Sequence, residues 1–246
     1  MGFWMAVSCQ ACPLRKRPLF VPMSEGDVTF MQDLKLRELH VVPGTTLIDE
    51  GETSPHLYTV LSGMGTRFKT FEDGRRQVVN FLMPGDFIGL QAGFLGKSRH
   101  SARAVTDMIL CVFPRDRLWE MFRTEPERAY DLTWIAAVEE HFLGDTIATL
   151  GQRTAEERLA WALLRFWQRL EAIGLAQDGS VPLPFRQQDI ADALGLSLVH
   201  TNKTAARLRQ AGVAIWGNRR LRVPDVRALM AVAGVDPERI ERRPLM

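Results

Sequence analysis

The sequence predicts an α+β protein built from three successive parts: an N-terminal β-roll, a long helix and a C-terminal winged helix-turn-helix. Three observations lead to this prediction: evenly spaced turn signals over 36–118, an amphipathic stretch over 126–150, and a helix-turn-helix pattern over 186–209. The 246 residues are enough for two modest domains, each with its own core. The expected boundaries are 1–24 for an N-terminal segment, 25–125 for the roll, 126–152 for the long helix, 153–226 for the winged helix-turn-helix domain and 227–246 for a tail.

Turn signals recur along the N-terminal part at a nearly even rhythm. They are Pro43-Gly44, Glu50-Gly51, Ser62-Gly63, Asp73-Gly74 and Pro84-Gly85-Asp86. Between them lie segments of strand-like composition, such as 57–61 (LYTVL), 77–82 (QVVNFL) and 108–113 (MILCVF). Short strands at this spacing predict an antiparallel roll or barrel.

The long helix is predicted by apolar residues that recur at three- and four-residue steps without an intervening proline. They are Ala129, Leu132, Ile135, Val138, Phe142, Ile147 and Leu150. This period indicates an amphipathic helix of about seven turns, interrupted at Gly144. Such a helix packs either against its own domain or against its twin in a dimer.

The C-terminal part begins with a capping signature, Thr154 followed three residues later by Glu157, which predicts the start of a new helix. After a loop over 174–184, the segment 186–209 (RQQDIADALGLSLVHTNKTAARLR) predicts two short helices joined at a tight turn. Gly195 falls at that turn, where the absence of a Cβ removes the steric penalty of a sharp reversal.

The second helix of this pair would carry groups that contact nucleic acid. Ser197 can cap its start through the side-chain oxygen. Its exposed face would present His200, Asn202, Lys203 and Arg207, whose donor groups suit phosphates and base edges. An ordinary αα-hairpin with a polar outer face is the alternative interpretation.

A hairpin of two short strands is predicted over 213–223 (VAIWGNRRLRV), with its turn at Gly217-Asn218. A hairpin directly after a recognition helix is a wing, and Arg219, Arg220 and Arg222 near its tip would face phosphates. Solvated arginines are the alternative. Residues 153–246 hold 15 Lys and Arg against 10 Asp and Glu, whereas residues 1–152 hold 16 against 19. This asymmetry favours a polyanionic partner for the C-terminal part.

Several other classes of protein are not expected. No apolar run is long enough to span a bilayer, and the N-terminal charges follow the apolar patch rather than precede it, so no signal peptide is predicted. Three cysteines are too few for a disulfide framework in a chain of this size. These features predict a cytoplasmic protein without a membrane partner. An enzyme is not expected either, because the sequence shows no nucleophile–base pair, phosphate-binding glycine loop or run of metal ligands.

Three segments add a resemblance to a known family: 84–89 (PGDFIG), 155–160 (AEERLA) and 189–196 (DIADALGL). Together with the order of the parts, they resemble the Fnr/Crp family of bacterial transcription regulators, from about Cys9 to about Val226. The resemblance implies a cyclic-nucleotide-binding-like roll that senses a signal, a dimerisation helix and a domain that reads a pseudo-palindromic operator in double-stranded DNA. It also implies a homodimer and RNA polymerase as a further partner.

The recognition helix departs from that of the better-known members, which present a Glu and then a Ser-Arg pair. Here Val199 replaces the Glu, and Asn202 and Lys203 replace the pair. Asn bonds adenine, Lys donates to guanine or to phosphate, and Val offers only apolar contact such as to a thymine methyl. We therefore expect an operator of different sequence. The expected DNA-binding residues are Arg186, Gln187, Ser197, Val199, His200, Asn202, Lys203, Arg207, Arg219 and Arg220.

The roll also departs from the family members that bind cyclic nucleotides. Those members carry a Gly-Glu-Leu helix start and an Arg-Ser pair for the cyclic phosphate. The corresponding segments here read IGLQ (88–91) and SRHS (98–101), without the Glu and without the pair. Cyclic AMP is therefore not expected as the effector.

The oxygen-sensing members hold an iron–sulfur cluster with four cysteines. Cys9, Cys12 and Cys111 correspond to three of them, whereas Pro18 stands where the remaining ligand is expected. Three interpretations stay open: inert cysteines, a thiol switch, and an incomplete iron–sulfur site that takes an outside ligand. In the first, Cys111 is a small buried strand residue. In the second, three basic residues after Cys12 lower the thiol pKa; these are Arg15, Lys16 and Arg17. In the third, iron accepts an imidazole, with His40, His56 and His100 as the candidates.

The function expected from the sequence is that of a sequence-specific, homodimeric transcription regulator whose roll senses an unidentified signal, with redox state and oxygen as candidates. An effector-independent regulator with inert cysteines is the first alternative, and a cyclic-nucleotide-responsive regulator is the second. Two rival classes are a membrane-associated cyclic-nucleotide module, which would lack the wing, and a non-specific nucleoid-type binder, which would be more basic.

Overall fold

The computed structural model describes residues 7–236 and 241–246. Its contacts divide the chain into two compact units. The first comprises the described residues up to Lys69, then Asn80–Val138 and Arg242–Met246, and the second comprises Thr70–Val79 and the described part of Glu139–Glu241. Two segments thus lie elsewhere than the expected boundaries place them: the hairpin tip 70–79 belongs to the C-terminal unit, and the end of the tail packs in the N-terminal unit.

Two four-stranded antiparallel sheets form the roll, with strand orders β1-β8-β3-β6 and β2-β7-β4-β5. The strands are β1 (Arg37–Val41), β2 (Thr46–Ile48), β3 (His56–Ser62), β4 (Gly65–Thr70), β5 (Arg76–Leu82), β6 (Phe87–Ile88), β7 (Ser101–Ala104) and β8 (Met108–Pro114). The strands expected over 57–61, 77–82 and 108–113 are confirmed as β3, β5 and β8.

The centre of the roll is the pairing of β3 with β8. Val60 lies opposite Leu110, and Tyr58 lies opposite Val112. Val60, Leu110 and Val112 have no exposed surface and belong to one apolar cluster. Because these strands are buried, they read in the sequence as nearly continuous apolar runs rather than as an alternation.

Helices make up most of the remaining structure. They are α1 (Glu25–Leu34), α2 (Leu90–Leu95), α3 (Leu118–Thr124), α4 (Pro126–Gln152), α5 (Ala155–Ala172), α6 (Gln187–Leu194), α7 (Leu198–Gln210) and α8 (Val226–Ala233). The long helix is confirmed as α4, although Gly144 lies inside it without breaking it. The start of α5 is also confirmed, since the Thr154 N–H donates to the Glu157 carboxylate at 2.6 Å. None of the helices in the described ranges combines the length and the apolar character needed to cross a bilayer.

The C-terminal unit is organised around α5, whose inner face buries Leu159, Leu163 and Leu170 almost completely. A small antiparallel sheet with the order β10-β11-β9 completes the unit. Its strands are β9 (Ser180–Pro182), β10 (Ile215–Gly217) and β11 (Arg220–Arg222). The predicted wing is therefore present, but its turn lies one residue later than expected. Asn218 and Arg219, rather than Gly217, adopt positive φ angles of 50° and 59°.

Candidate nucleic-acid interface and cysteine pocket

The helix pair α6–α7 has the geometry that the sequence predicts. Ile190, Ala191 and Leu194 are buried on the inner face of α6. Gly195 ends this helix with a φ of 61°, in the left-handed region that favours glycine. The chain reverses there, so α7 starts three residues later.

Helix α7 has one buried face and one exposed face. Ser197 caps it, because its hydroxyl accepts a hydrogen bond from the His200 N–H at 3.2 Å. Thr201, Thr204 and Leu208, which follow at helical spacing, are buried. The two faces are thus fixed by packing, and Thr201 faces inward rather than toward a ligand.

The opposite face of α7 carries the predicted reading residues. Val199 is 64 % exposed. His200, Asn202 and Lys203 are exposed beside it. Arg207 is exposed one turn further on, where its guanidinium lies 3.6 Å from a carboxylate oxygen of Glu156. The arrangement offers donors and one apolar group on a single helical surface, as major-groove recognition requires.

The start of α6 is held by Asp189. Its carboxylate accepts the Arg186 backbone N–H at 2.9 Å and lies 3.3 Å from the Arg186 guanidinium, whereas Gln187 is exposed. Arg76, in the hairpin tip of the same unit, donates to Asp189 at 2.6 Å and lies 3.3 Å from Asp192. Burial acts to raise the Asp189 pKa, but these hydrogen bonds lower it overall. Sequence reasoning missed Arg76, since nothing in its neighbourhood marks a partner more than a hundred residues away.

The arginines of the wing are placed differently from one another. Arg219 and Arg222 are exposed. Arg220 donates instead to the Ser180 hydroxyl at 2.8 Å and to the Ser180 carbonyl at 3.1 Å. Its guanidinium therefore fastens the wing to the strand before the helix pair, and Arg219 is the exposed arginine at the wing turn.

The three cysteines converge on one pocket in the N-terminal unit, with room of about 40 Å³. Cys9 and Cys12 are half-buried and Cys111 is buried. The pocket is lined by six sulfur-bearing side chains, namely Cys9, Cys12, Cys111, Met23, Met31 and Met246, together with Leu14, Arg15, Thr59, Leu61, Phe113 and Leu245. Leu245 and Met246 lay outside the sequence interpretation of the cysteines altogether.

Burial has the largest effect on the pKa values of Cys9 and Cys111. It raises the pKa of Cys111 to about 12 and also raises the pKa of Cys9, and the positive charge of Lys35 offsets only part of this effect. The expectation that neighbouring basic residues lower the thiol pKa is therefore wrong for Cys9. Arg15 does lie close, donating to the Cys9 carbonyl at 3.2 Å, but the loss of hydration outweighs its charge.

The fold agrees with comparisons to known proteins. Residues 38–125 match the family model of the cyclic nucleotide-binding domain, and residues 157–232 match that of the Crp-like helix-turn-helix domain. The chain is 31 % identical over 204 residues to the nitrogen fixation regulation protein FixK of Bradyrhizobium diazoefficiens, covering 83 % of this chain and 84 % of the relative. The chain belongs to the Crp/Fnr family.

Two other known proteins are similar to this chain over most of their length. The transcriptional activator protein FnrL of Cereibacter sphaeroides is 29 % identical, over 94 % of this chain and 93 % of the relative. The structure of FixK2 from Bradyrhizobium japonicum superposes with a TM-score of 0.71 at 27 % identity, over 82 % of this chain and 98 % of that one. The protein is thus a DNA-binding transcription regulator, and the prediction that it is not an enzyme is confirmed by its family.

The resemblance to oxygen-sensing Crp/Fnr members suggests an iron–sulfur cluster, but such a cluster does not fit the residues present. A cluster of this kind takes four protein ligands, usually thiolates. Across 7–236 and 241–246, no group of three or more His, Cys, Asp or Glu side chains is arranged to hold a metal ion. The three candidate imidazoles, His40, His56 and His100, do not line the cysteine pocket.

Proposed function

We propose that this Crp/Fnr protein is a cytoplasmic, sequence-specific regulator that binds a pseudo-palindromic operator as a homodimer, and that its roll responds to redox state or oxygen. The observation that carries the DNA-binding specificity is the exposed face of α7. Val199, Asn202 and Lys203 project from a helix whose other face is locked by buried threonines. Because its inner face is fixed by packing, the helix keeps these three side chains in one orientation toward the major groove.

The homodimer is supported by the apolar surface of α4. Tyr130 and Ile147 are 69 % and 71 % exposed, and Val138 and Leu143 are each 38 % exposed. Large apolar side chains exposed along one helix favour a partner helix, and a second copy provides a matching one. Two copies related by a twofold axis would place two recognition helices on half-sites about one DNA turn apart.

RNA polymerase is the protein partner that we propose beside DNA. The relative FnrL is described as a transcriptional activator. A regulator bound at a promoter raises transcription by contacting the polymerase or by changing its access to the promoter.

Random-site selection with the full chain tests the operator proposal. We expect enrichment of a pseudo-palindrome with half-site centres about 10 base pairs apart, or a multiple of that distance. Sequences enriched without twofold symmetry would contradict binding as a symmetric dimer, and failure to enrich any sequence would contradict specific recognition.

The variant Lys203→Ala is expected to weaken operator binding by about 1–3 kcal/mol and to change binding to random DNA much less. The reason is that a side chain that contacts a base forms this contact only where the DNA carries the recognised base pair. Gel-shift titrations on the selected operator and on random DNA measure the two losses. Lys97→Ala, which removes the same charge from an exposed residue of the N-terminal unit, serves as the control. Equal losses on both DNAs would make Lys203 a phosphate contact.

The redox proposal is supported by three thiols in one pocket of the roll. We expect hydrogen peroxide to change the operator affinity of the native chain at least about fivefold, the size of a typical coupling between two sites, and to leave a Cys9→Ser/Cys12→Ser/Cys111→Ala variant unchanged. Gel-shift titration before and after oxidation measures this. An unchanged native affinity favours the effector-independent alternative, which the raised thiol pKa values also support. Iron and sulfide in anaerobically purified protein would indicate an iron–sulfur cluster instead of a thiol switch. A change in operator affinity on addition of cyclic AMP would indicate a cyclic nucleotide as the effector.

A further inference from the structure

We propose that the segment Arg242–Met246 is a latch that closes the cysteine pocket, and that its release exposes Cys111 to thiol-directed reagents. The latch rests in part on the proposed function, because it takes the pocket to be the place where the signal is received. Three sets of contacts, all inside the N-terminal unit, hold the segment in place.

The first set is made by the backbone. The Arg243 N–H donates to the Leu19 carbonyl at 2.8 Å, and the Val21 N–H donates to the Arg243 carbonyl at 2.9 Å. Arg243 thereby forms a parallel β-bridge with Phe20. Arg243 is thus bonded to the backbone of residues 19–21, a few residues after the two N-terminal cysteines.

The second set is an ion pair. The Arg243 guanidinium lies 3.1 Å from an oxygen of Asp86, and the two side chains are 14 % and 10 % exposed. Asp86 is fixed in turn, because its other oxygen accepts the Met83 N–H at 2.8 Å. Because both side chains are largely buried, removing one partner of this pair costs more than removing a partner of a solvent-exposed pair, so the side chain of Arg243 contributes to holding the segment.

The third set closes the pocket itself. Leu245 and Met246 are each 5 % exposed and line the pocket beside the cysteines. The Thr59 hydroxyl, in β3, donates to a main-chain oxygen of Met246, and an Arg128 nitrogen lies 3.5 Å from the Leu245 carbonyl oxygen. Removing these two apolar side chains would widen the opening of the pocket and expose the side on which they lie to solvent.

The latch also links the pocket to the DNA-binding unit through the chain. Helix α8 ends at Ala233, and the eight residues 234–241 connect it to the latch. If thiol chemistry requires an open pocket, modified thiols stabilise the form in which Arg242–Met246 is released from the pocket. Coupling of this kind is reciprocal, so a state of the DNA-binding unit that stabilises the released form also promotes modification of the thiols.

Labelling of Cys111 by N-ethylmaleimide, located by peptide mass spectrometry, tests the latch in the full chain. We expect Arg243→Ala, and a chain that stops after Glu241, to label about tenfold faster or more, because labelling follows the population of the open form. Arg242→Ala removes the same charge from an exposed neighbour in the same segment and is expected to label at the native rate.

Hydrogen exchange of the β8 amides in the same samples separates release of the latch from unfolding of the roll. Faster labelling with the β8 amides still protected supports the latch. Unchanged labelling in both variants, or labelling that rises only together with β8 exchange, would overturn it. The measurement uses no DNA, so its outcome is independent of whether operator selection succeeds.

Discussion

Replacing Gly63 with alanine is expected to lower the free energy of unfolding of the roll by about 3–5 kcal/mol. Gly63 lies in the turn between β3 and β4 with a φ of +87°, which L side chains rarely adopt. A Cβ there would lie 2.2 Å from the Asp107 carbonyl oxygen and 2.8 Å from the Met108 Cα. Both neighbours are backbone atoms at the start of β8, so the strand would have to move.

Urea denaturation followed by far-ultraviolet circular dichroism measures this loss, with Gly74→Ala as the matched control. Gly74 has a similar φ of +79°, but no atom lies within 4 Å of the position that a Cβ would occupy there. It should therefore cost only the backbone strain, roughly 1–2 kcal/mol. Equal losses for the two variants would show that close packing at Gly63 contributes nothing.

The variant Asp189→Ala is expected to destabilise the C-terminal unit by about 2–3 kcal/mol. The carboxylate is buried, caps the start of α6 and receives hydrogen bonds from Arg186 and Arg76. Alanine removes the cap and also removes the 2.6 Å hydrogen bond from Arg76, whose contact with Asp192 at 3.3 Å is the longer of the two. Because α6 supports the recognition helix, operator affinity is expected to fall as well.

The same residue sets a pH dependence in the acid range. Its pKa is lowered on folding from the ordinary value of 3.8. Its contribution is therefore complete above that value and is lost as the pH falls through the lower, folded-state pKa. Denaturation of native and Asp189→Asn protein between pH 6 and about pH 2 is expected to show curves that converge at the acid end. Glu171→Gln, which neutralises an exposed carboxylate of α5, serves as the control for the change in net charge.

Elements that depend on local sequence could be predicted. The period of the apolar residues located α4, the pair Thr154 and Glu157 located the start of α5, and Gly195 located the turn before α7. Each of these signals acts over a few residues, where backbone sterics and hydrogen bonding dominate. The buried strands β3 and β8 could be located for a similar reason, since turn glycines bound them.

Contacts between distant residues could not be predicted. Arg243 pairs with Asp86 and Arg76 pairs with Asp189, yet arginines and aspartates occur throughout the chain, and no local pattern marks which of them meet. The turn of the wing lies one residue later than predicted, at Asn218 and Arg219, and Asn tolerates the positive φ that the first turn position requires. The acidity of Cys9 was misjudged because charge is visible in a sequence whereas burial is not.

A thiol with a pKa of about 12 reacts slowly with oxidants and alkylating reagents. At pH 7 only on the order of one Cys111 side chain in 100,000 is a thiolate, the form that reacts. A brief exposure to oxidant would therefore modify very little Cys111 while the segment Arg242–Met246 covers the pocket. Under the proposed redox response, modified Cys111 would accumulate when the exposure lasts much longer than the interval between openings of the pocket, so operator binding would follow the duration of the oxidation rather than its peak.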